Sequence, residues 1–375
     1  MPLQPLKGIR VLDFTTLLPG PMAALIMAEA GAEVIKIERP GSGEDMRHYD
    51  PPFADDSVNF ALLNRGKKSI AVDLKDKAAV EKVKKLVATA DVVLEQFRPG
   101  VMDRLGLGYD ALKAVNPKIV YCAITGYGQD GPKAMVAAHD MNYIGDTGML
   151  SLSTGADGAP IPPPGLIADI GAGTMPTVIN VLLGLQHAQR TGEGCYLDIA
   201  MTDGLWAWEY WAMGRTEHTG VEPKPGGELV TGGTPRYRLY RTKDDRFVAA
   251  APIEQKFWEN FCALIGLPDT LRDDSRDPAA TTQGIAGIIA TKTAAEWDAL
   301  FAGKDLCCSI VRTMKEAMSD PHFKARGLFD NRVSAGPGQA SLTALPLPLA
   351  PVFKERGTTK PYPKLGDANA LLDEV

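Results

Sequence analysis

The chain has 375 residues, of which 45% are hydrophobic and 23% charged, and its formal net charge is −6. This length and composition are typical of a soluble globular protein with one large or two ordinary domains. The acidic balance argues against a general nucleic-acid-binding protein, and no apolar run is expected to approach the roughly 20 residues that span a membrane.

The five cysteines and five histidines show no paired metal-ligand spacing, so no structural metal site is predicted. Scattered cysteines favour a reducing compartment with free thiols. The first ten residues lack the apolar segment of a signal peptide. We therefore expect a cytoplasmic protein that binds no metal.

The first 125 residues alternate between strand and helix patterns. Strands are predicted at residues 9–14, 33–37, 69–72, 91–94 and 118–123, and helices at 19–30 and 76–90. The first helix begins beside prolines and ends before Gly31. Such alternation indicates a parallel sheet covered by helices, in which ligands bind beyond the carboxyl ends of the strands.

The rest of the chain predicts a second, smaller domain. Residues 127–165 indicate a loop with one short helix, followed by a buried helix at 170–189, a strand at 195–200 and a helix at 201–213. A linker at 217–234 precedes a hairpin at 237–250, helices near 254–265, 281–291 and 294–301, and extended segments after 327. We predict a large α/β domain at 1–220, with a return of about 328–375, and a small α+β domain at 221–327.

Glycine pairs and basic residues are the two sequence features considered as signals of an anion site, and only the basic residues support one. Neither Gly41 with Gly43 nor Gly171 with Gly173 completes a dinucleotide-binding fingerprint, so these glycines indicate turns and close packing. Basic residues recur after the predicted strands, where they could bind a phosphate-rich anion, although each alone is typical of a solvated surface charge. They are Lys36, Arg39, Arg65, Lys67, Lys68, Arg98 and Arg104.

His139 and Asp169 are the candidate catalytic pair. Each can hold or release a proton, and moving a proton between the two faces of one carbon requires such a pair. The alternatives are a hydrogen-bonded structural histidine and an aspartate N-cap for the helix that follows. A carboxylate at that helix start would lie beside free backbone N–H groups that could face an anionic intermediate. Glu254 also opens a predicted helix, where a negative charge is favourable.

Six segments resemble the family III CoA-transferases, also called the carnitine dehydratase/bile-acid-inducible family. They are residues 31–41, 64–67, 72–75, 98–106, 126–132 and 192–198. Within this family the chain most resembles the α-methylacyl-CoA racemases, on the strength of His139, Asp169 and Glu254. Ala138 stands where the racemase motif usually has glycine, and residues 231–236 also depart from the usual pattern, which leaves the acyl-chain preference open.

The resemblance implies a racemase that moves a proton at the α-carbon of 2-methylacyl-CoA, with His139 and Asp169 as the two bases and Glu254 orienting the histidine. It also implies that CoA and substrate bind at a further set of residues, namely Arg39, Val72, Asp73, Leu74, Lys75, Arg98, Arg104, Ala138, Asp140, Met141, Asn142 and Tyr143. The first alternative is a CoA-transferase in which Asp169 forms an acyl anhydride; the second is a non-catalytic CoA-ester-binding protein.

The resemblance further implies a Rossmann-like large domain and an interlocked homodimer. In such a dimer Glu254 would reach the partner's His139. No cofactor is expected, because coenzyme A enters as part of the acyl-CoA substrate. Neither a nucleic acid nor a membrane is expected as a partner.

Overall fold

The computed structural model describes residues 2–155 and 157–374. In chain order, its strands are β1 Arg10–Asp13, β2 Glu33–Glu38, β3 Pro52–Phe53, β4 Asp56–Ser57, β5 Lys68–Ala71, β6 Val92–Glu95, β7 Val120–Thr125, β8 Cys195–Ala200, β9 Arg238–Arg241, β10 Phe247–Ala250, β11 Cys308–Ile310, β12 Arg332–Ser334, β13 Ser341–Thr343 and β14 Thr359–Pro361. Its α-helices are α1 Pro19–Glu29, α2 Val58–Asn64, α3 Lys77–Val87, α4 Val101–Arg104, α5 Tyr109–Val115, α6 Asp140–Asp146, α7 Met175–Thr191, α8 Met201–Leu205, α9 Tyr210–Thr219, α10 Gln255–Ile265, α11 Pro278–Ile289, α12 Ala294–Phe301, α13 Met314–Ser319 and α14 Pro321–Ala325.

Contacts divide the described residues into two compact units. The first comprises Met1–Thr147, Pro163–Trp208 and Pro321–Val375, and the second comprises Gly148–Pro162 and Glu209–Asp320. The sequence-based limits lie at 220 and 327, and they place Gly148–Pro162 in the large domain rather than with the second unit.

The first unit is built on a parallel sheet. Among the described residues, six strands pair in the order β5-β2-β1-β6-β7-β8, and every pairing is parallel. The strand order reverses at β1, whose neighbours are β2 and β6. Ligands of open α/β sheets bind outside the carboxyl ends of the strands at such a switch point. The predicted α/β class with a Rossmann-like sheet is confirmed.

Hydrophobic cores cover both faces of this sheet. Leu12 and Val93 belong to a cluster that includes residues of α3 and α5, whereas Val11 and Val34 belong to a cluster with α1 and α7. Successive strand residues point to opposite faces, so a strand buried on both sides has a continuous apolar sequence. This burial explains why the strands were recognisable from sequence.

The C-terminal segment forms a small sheet within the first unit. In this sheet β12 pairs antiparallel with β13 and parallel with β14. Val333 and Tyr362 pack in one cluster with Phe60 of α2. The segment after residue 327, which was predicted to return to the large domain, therefore packs against α2 of the first unit.

The second unit has its own core. Strand β10 pairs antiparallel with β9 and β11, and Trp258 of α10 and Trp297 of α12 are buried in the same cluster as Val248. The hairpin and the three helices predicted for the small domain are present at nearly the predicted positions.

Two helix predictions required correction. The single helix predicted at 201–213 is interrupted, because α8 ends at Leu205 and α9 begins at Tyr210. The helix predicted at 170–189 is not wholly buried: Ile179 and Leu183 of α7 are 57% and 63% exposed. Apolar composition alone does not show which face of a helix is covered.

The stretch Ile167–Thr191 is long and apolar enough to cross a membrane by length and composition, with 39% of its most apolar window buried. The sequence analysis expected no apolar run of this length, so this expectation is wrong for Ile167–Thr191. Core helices of soluble proteins meet the same criterion, so the observation is weak support for a membrane span.

Candidate active site

Asp169 lies on a π-helical turn. This turn, Ile167–Thr174, leads directly into α7, and the Met175 N–H bonds to Ile170 O, five residues back. Gly171 permits close packing there, because an added Cβ would lie 2.7 Å from a ring carbon of Trp208. Single π turns within helices occur frequently at functional sites. The predicted N-cap role of Asp169 is wrong, since the residue at the N-cap is Leu166.

Backbone groups around Asp169 already have partners. The Asp169 N–H donates to Asp140 Oδ1 at 2.9 Å, and the Ile170 N–H donates to Leu166 O at 3.0 Å. The expectation that free N–H groups beside Asp169 face an anionic intermediate is therefore wrong for these two amides. Their hydrogen bonds instead hold the carboxylate-bearing turn in place.

His139 is the N-cap residue of α6. Its backbone N–H donates to Asn142 Oδ1 at 3.0 Å, and the Tyr143 hydroxyl donates to Ala138 O at 2.8 Å. The Tyr143 ring is buried against Gly126, where an added Cβ would lie 2.3 Å from a ring carbon. These contacts fix the backbone around His139, whose side chain is exposed.

His139 and Asp169 line the same cavity, which we call the catalytic cavity and which has a volume of about 400 Å³. Its walls also include residues that follow β1 and β6 and residues from the segment before α6. They are Leu17, Pro19, Gln96, Phe97, Arg98, Pro99, Ile124, Thr125, Gly126, Tyr127, Ala134, Val136, Ala137, Ala138, Asn142, Tyr143 and Met201. The structure thus brings together the two candidate bases, 30 residues apart in the sequence.

The surroundings of Asp169 raise its pKa toward neutral pH. Burial raises the pKa of Asp169, the negative charge of Asp140 raises it further, and His139 lowers it, to give a value of about 6. Asp140 is itself buried, with 6% of its surface exposed. A carboxyl with such a pKa can both donate and accept a proton near neutral pH.

A second cavity of about 360 Å³, the nucleotide cleft, contains five of the predicted CoA-binding residues: Arg39, Val72, Asp73, Leu74 and Lys75. They follow β2 and β5, so they lie at the same sheet edge as the catalytic cavity. The remaining walls are Phe14, Thr16, Ile37, Glu38, Gly43, Glu44, Asp45, Phe97, Val101 and Leu105.

The two cavities adjoin at Phe97, which lines both. Phe97 follows the end of β6, and its N–H donates to Glu95 Oε2 at 2.8 Å. An elongated ligand could therefore place one end in the nucleotide cleft and its reactive group beside Asp169.

Four predicted site residues do not line either cavity. Arg104 and Met141 are exposed, whereas Asp140 is buried and bonds to the backbone of Asp169. Glu254 is the exposed N-cap residue of α10 in the second unit. Its contact with the partner's His139 stays a prediction. Arg98 lines the catalytic cavity rather than the nucleotide cleft.

The sequence interpretation missed several cavity residues, among them Thr16, Leu17, Gln96 and Phe97. All four lie just after β1 or β6. The rule that ligands bind beyond the carboxyl ends of parallel strands could have identified them. It could not have identified Glu44, whose approach to the cleft depends on a loop.

Within residues 2–155 and 157–374, no group of three or more His, Cys, Asp or Glu side chains is arranged to hold a metal ion.

The Arg39 guanidinium, which would face a phosphate group, forms an ion pair with Asp45 at the mouth of the nucleotide cleft. Phosphate binding there would require Arg39 to exchange or share this partner.

A model of CoA-transferase family III matches residues 6–369. The chain belongs to this family. It is 35% identical over 328 residues to an alpha-methylacyl-CoA racemase of Mus musculus, covering 86% of this chain and 82% of that relative. It is also 32% identical over 384 residues to a succinyl-CoA:glutarate CoA-transferase of Mus musculus, covering 100% of this chain and 87% of the relative.

Solved structures support the same family assignment. The crystal structure of Rv3272 from M. tuberculosis superposes with a TM-score of 0.84 at 31% identity, covering 99% of this chain and 100% of that one. A CAIB/BAIF family protein from Brucella suis superposes with a TM-score of 0.85 at 27% identity, covering 100% and 99%. Family III membership indicates an enzyme that acts on CoA thioesters, and both racemases and CoA-transferases are among its close relatives.

Proposed function

We propose that this family III protein is a racemase that interconverts (2R)- and (2S)-2-methylacyl-CoA thioesters. The observation that carries the proposal is the presence of His139 and Asp169 in one cavity, where Asp169 has a pKa of about 6. Moving a proton between the two faces of one carbon requires one group that accepts a proton and a second group that donates one.

In the proposed reaction, His139 removes the α-proton from one epimer. The electron pair of the C–H bond passes into the thioester carbonyl to form an enolate, and protonated Asp169 delivers its proton to the opposite face. In the reverse direction Asp169 is the base and protonated His139 the acid. Each half-reaction moves one proton, so no redox cofactor is required.

In the proposed binding mode the CoA portion occupies the nucleotide cleft, with Arg39 and Lys75 toward its phosphates. The acyl thioester then passes Phe97 into the catalytic cavity. The adjoining volumes of about 360 and 400 Å³ support this division of one long ligand between two compartments.

The second candidate function is CoA transfer, in which Asp169 attacks the thioester and forms a mixed anhydride. Its specific support is the relation to the mouse succinyl-CoA:glutarate CoA-transferase over the whole chain. An ionised nucleophile is favoured when Asp169 loses its proton above its pKa of about 6. The racemase proposal is preferred because only that chemistry requires the second base, His139.

The two functions are distinguished by incubating the enzyme with a (2R)-2-methylacyl-CoA in D₂O and following the α-carbon by NMR. A racemase incorporates deuterium and forms the (2S) epimer without any acyl acceptor. No α-deuterium across several acyl chains, with CoA moving to an added free carboxylic acid, would refute the racemase proposal and support transfer. Tight binding with neither reaction would indicate a CoA-ester-binding protein.

We further propose that two copies form an interlocked homodimer. Support comes from apolar side chains left exposed in the first unit, where Ile179, Leu183, Trp206 and Trp208 are 57%, 63%, 47% and 55% exposed. Ile179 and Leu183 lie one turn apart on α7 and so share a face of that helix, and contiguous exposed apolar surface often marks a site that another protein covers. Light scattering after size-exclusion chromatography tests this proposal, and a mass near 40.2 kDa would contradict it.

A further inference from the structure

Leu17 occupies an unusual backbone conformation at the edge of the catalytic cavity. Its φ is +62°, in the left-handed region that residues with a Cβ rarely adopt. It lies between β1 and α1 and lines the catalytic cavity. Non-glycine residues keep such a conformation only where surrounding contacts hold them in it, and these residues cluster at functional sites.

A buried carboxylate supplies the contact. The Leu17 N–H donates to Glu44 Oε2 at 2.8 Å. Glu44 is 4% exposed, and its other carboxylate oxygen lies 3.4 Å from Lys36 Nζ and 3.4 Å from Asn64 Nδ2. Its backbone N–H donates to Glu38 Oε2 at 3.1 Å. Glu44 is therefore fixed from several directions.

Glu44 also lines the nucleotide cleft. One side chain thus borders the compartment proposed for CoA while its carboxylate bonds to the backbone of a residue in the neighbouring compartment. Because Glu44 is buried, this hydrogen bond is shielded from water, which strengthens it relative to a solvent-exposed bond.

We propose that Glu44 is a positioning residue that holds Leu17 in its left-handed conformation and thereby sets the wall of the catalytic cavity against which the acyl thioester lies. The inference rests on the proposed function of that cavity. Glu44 does not exchange protons with the substrate. It acts through the backbone of Leu17, so its loss should misplace the thioester rather than remove a catalytic group.

The test compares Glu44→Ala and Glu44→Gln with the control Glu29→Ala. Glu29 is a carboxylate of similar burial that pairs with Arg65 at 2.9 Å and lines neither the catalytic cavity nor the nucleotide cleft. Glu44→Ala should lower kcat for α-proton exchange about tenfold, because small misplacements of a bound substrate slow its reaction. Its KM should change less than about threefold, since the groups proposed to bind CoA remain. Glu44→Gln keeps an oxygen acceptor and should retain most of kcat.

A second substitution tests whether Glu44 acts through Leu17. Glycine adopts a positive φ without external support, so the loss caused by Glu44→Ala should be smaller in a Leu17→Gly background than in the wild-type background. An equal loss of kcat in both backgrounds would contradict the proposal that Glu44 acts through Leu17. Hydrogen–deuterium exchange of the Leu17 amide should speed up in Glu44→Ala and not in Glu29→Ala.

Each remaining outcome has a defined meaning. If Glu44→Ala and Glu29→Ala lower thermal stability alike and both keep the wild-type kcat, Glu44 is only structural and the inference is overturned. If the wild type transfers CoA instead of exchanging the α-proton, the racemase proposal fails, and the same variants are compared by the kcat of transfer, because Asp169 serves both reactions. Unprotected exchange of the Leu17 amide in the wild type would overturn the inference whatever the reaction.

Discussion

Two groups of buried or half-buried ionisable side chains lie near the carboxyl end of the parallel sheet, and only one contains both acidic and basic groups. In the first, the ion-pair network, Asp13 Oδ2 lies 2.9 Å from Lys67 Nζ, and Lys36 Nζ lies 3.4 Å from Glu44 Oε1. In the second, the Asp140–Asp169 pair, a carboxylate accepts the backbone N–H of another aspartate. No salt bridge to either of these two aspartates occurs in the described ranges 2–155 and 157–374.

The difference shows how one sheet edge supports both a scaffold and a reactive group. Burial tends to raise the pKa of Asp13, but Lys67 and Lys36 outweigh it and hold that pKa below its usual value. For Asp169, burial and Asp140 both raise the pKa, and only His139 opposes them. The two lysines therefore favour the ionised form of Asp13, whereas Asp169, which lacks a lysine or arginine partner, can exchange its proton near neutral pH.

The largest effect is expected from Asp169→Asn in the Asp140–Asp169 pair. Removing a proton-transfer residue costs roughly 10²–10⁴-fold, and we expect α-proton exchange near the upper end of that range to be lost, because no other carboxyl lines the catalytic cavity among its described residues. Stability should not fall, since the substitution removes a half-buried acid that forms no salt bridge among the described residues. Exchange assays and thermal denaturation measure both quantities. A large drop in melting temperature would show that Asp169 is mainly structural.

Substitution in the ion-pair network should lower the stability of the protein, which Asp169→Asn is expected to leave unchanged. Lys67→Met leaves Asp13 buried without its nearest counter-charge, and breaking a buried pair costs about 3–5 kcal/mol of unfolding free energy. Lys82→Met is the control, because Lys82 forms an exposed ion pair with Asp373, which contributes little. Urea denaturation of both variants checks the prediction. Similar unfolding free energies in the two variants would contradict the assigned scaffold role.

His139→Ala should separate the two candidate reactions. We expect α-proton exchange to fall on the order of a hundredfold, as for loss of one general base. CoA transfer to a free carboxylic acid, if the enzyme performs it, should persist because the anhydride forms on Asp169. Formation of the new acyl-CoA from the added acid and NMR of the α-carbon, followed on the same preparation, measure the ratio of the two rates. Equal losses of both reactions would mean that His139 orders the cavity rather than removing a proton.

The smallest effect is expected from Asp140→Asn, which keeps an oxygen acceptor for the Asp169 N–H but removes the neighbouring negative charge. The pKa of Asp169 should then fall below about 6. In the direction that needs protonated Asp169, the rate declines as pH rises through this pKa, so the decline should shift to lower pH. In the opposite direction the rate should stay high to lower pH than in the wild type.

A pH series of initial rates in both directions tests this prediction. Asp146→Asn removes a carboxylate from the same helix, and Asp146 pairs with Lys133 instead of influencing Asp169. The profile of this control should coincide with that of the wild type. Coinciding profiles of wild type and Asp140→Asn would contradict the proposed electrostatic origin of the raised pKa.

The sequence was sufficient for the sheet and for much of the nucleotide cleft. Strands buried on both faces have continuous apolar sequences, whereas Val72 to Lys75, which follow the edge strand β5, were assigned to CoA binding by resemblance to the family. The pairing of His139 with Asp169 came from resemblance to a family, and both residues line one cavity in the structure.

Other features depended on contacts that no local pattern contains. The break between α8 and α9 leaves Trp208 against Gly171, a contact between segments far apart in the sequence. The hydrogen bonds from Asp169 to Asp140 and from Leu17 to Glu44 join residues 29 and 27 positions apart. Sequence periodicity describes which side of an element is apolar, and it carries no information about such single long-range bonds.

The π-helical turn at Ile167–Thr174 lets the chain vary in length beside Asp169 without turning the helix that carries it. A π turn accommodates one residue more than an α turn, so deleting a single residue such as Gly173 would allow a regular α turn while the preceding residues keep nearly the same orientation about the axis of α7. Deleting a residue inside α7, whose turns are already α-helical, would instead rotate the preceding residues by about 100°. The Asp169 carboxylate would then leave the cavity while both proposed bases remained in the sequence. A deletion in α7 can therefore abolish the proposed activity without altering the residues by which that activity would be recognised, whereas a deletion at the π turn should be tolerated better.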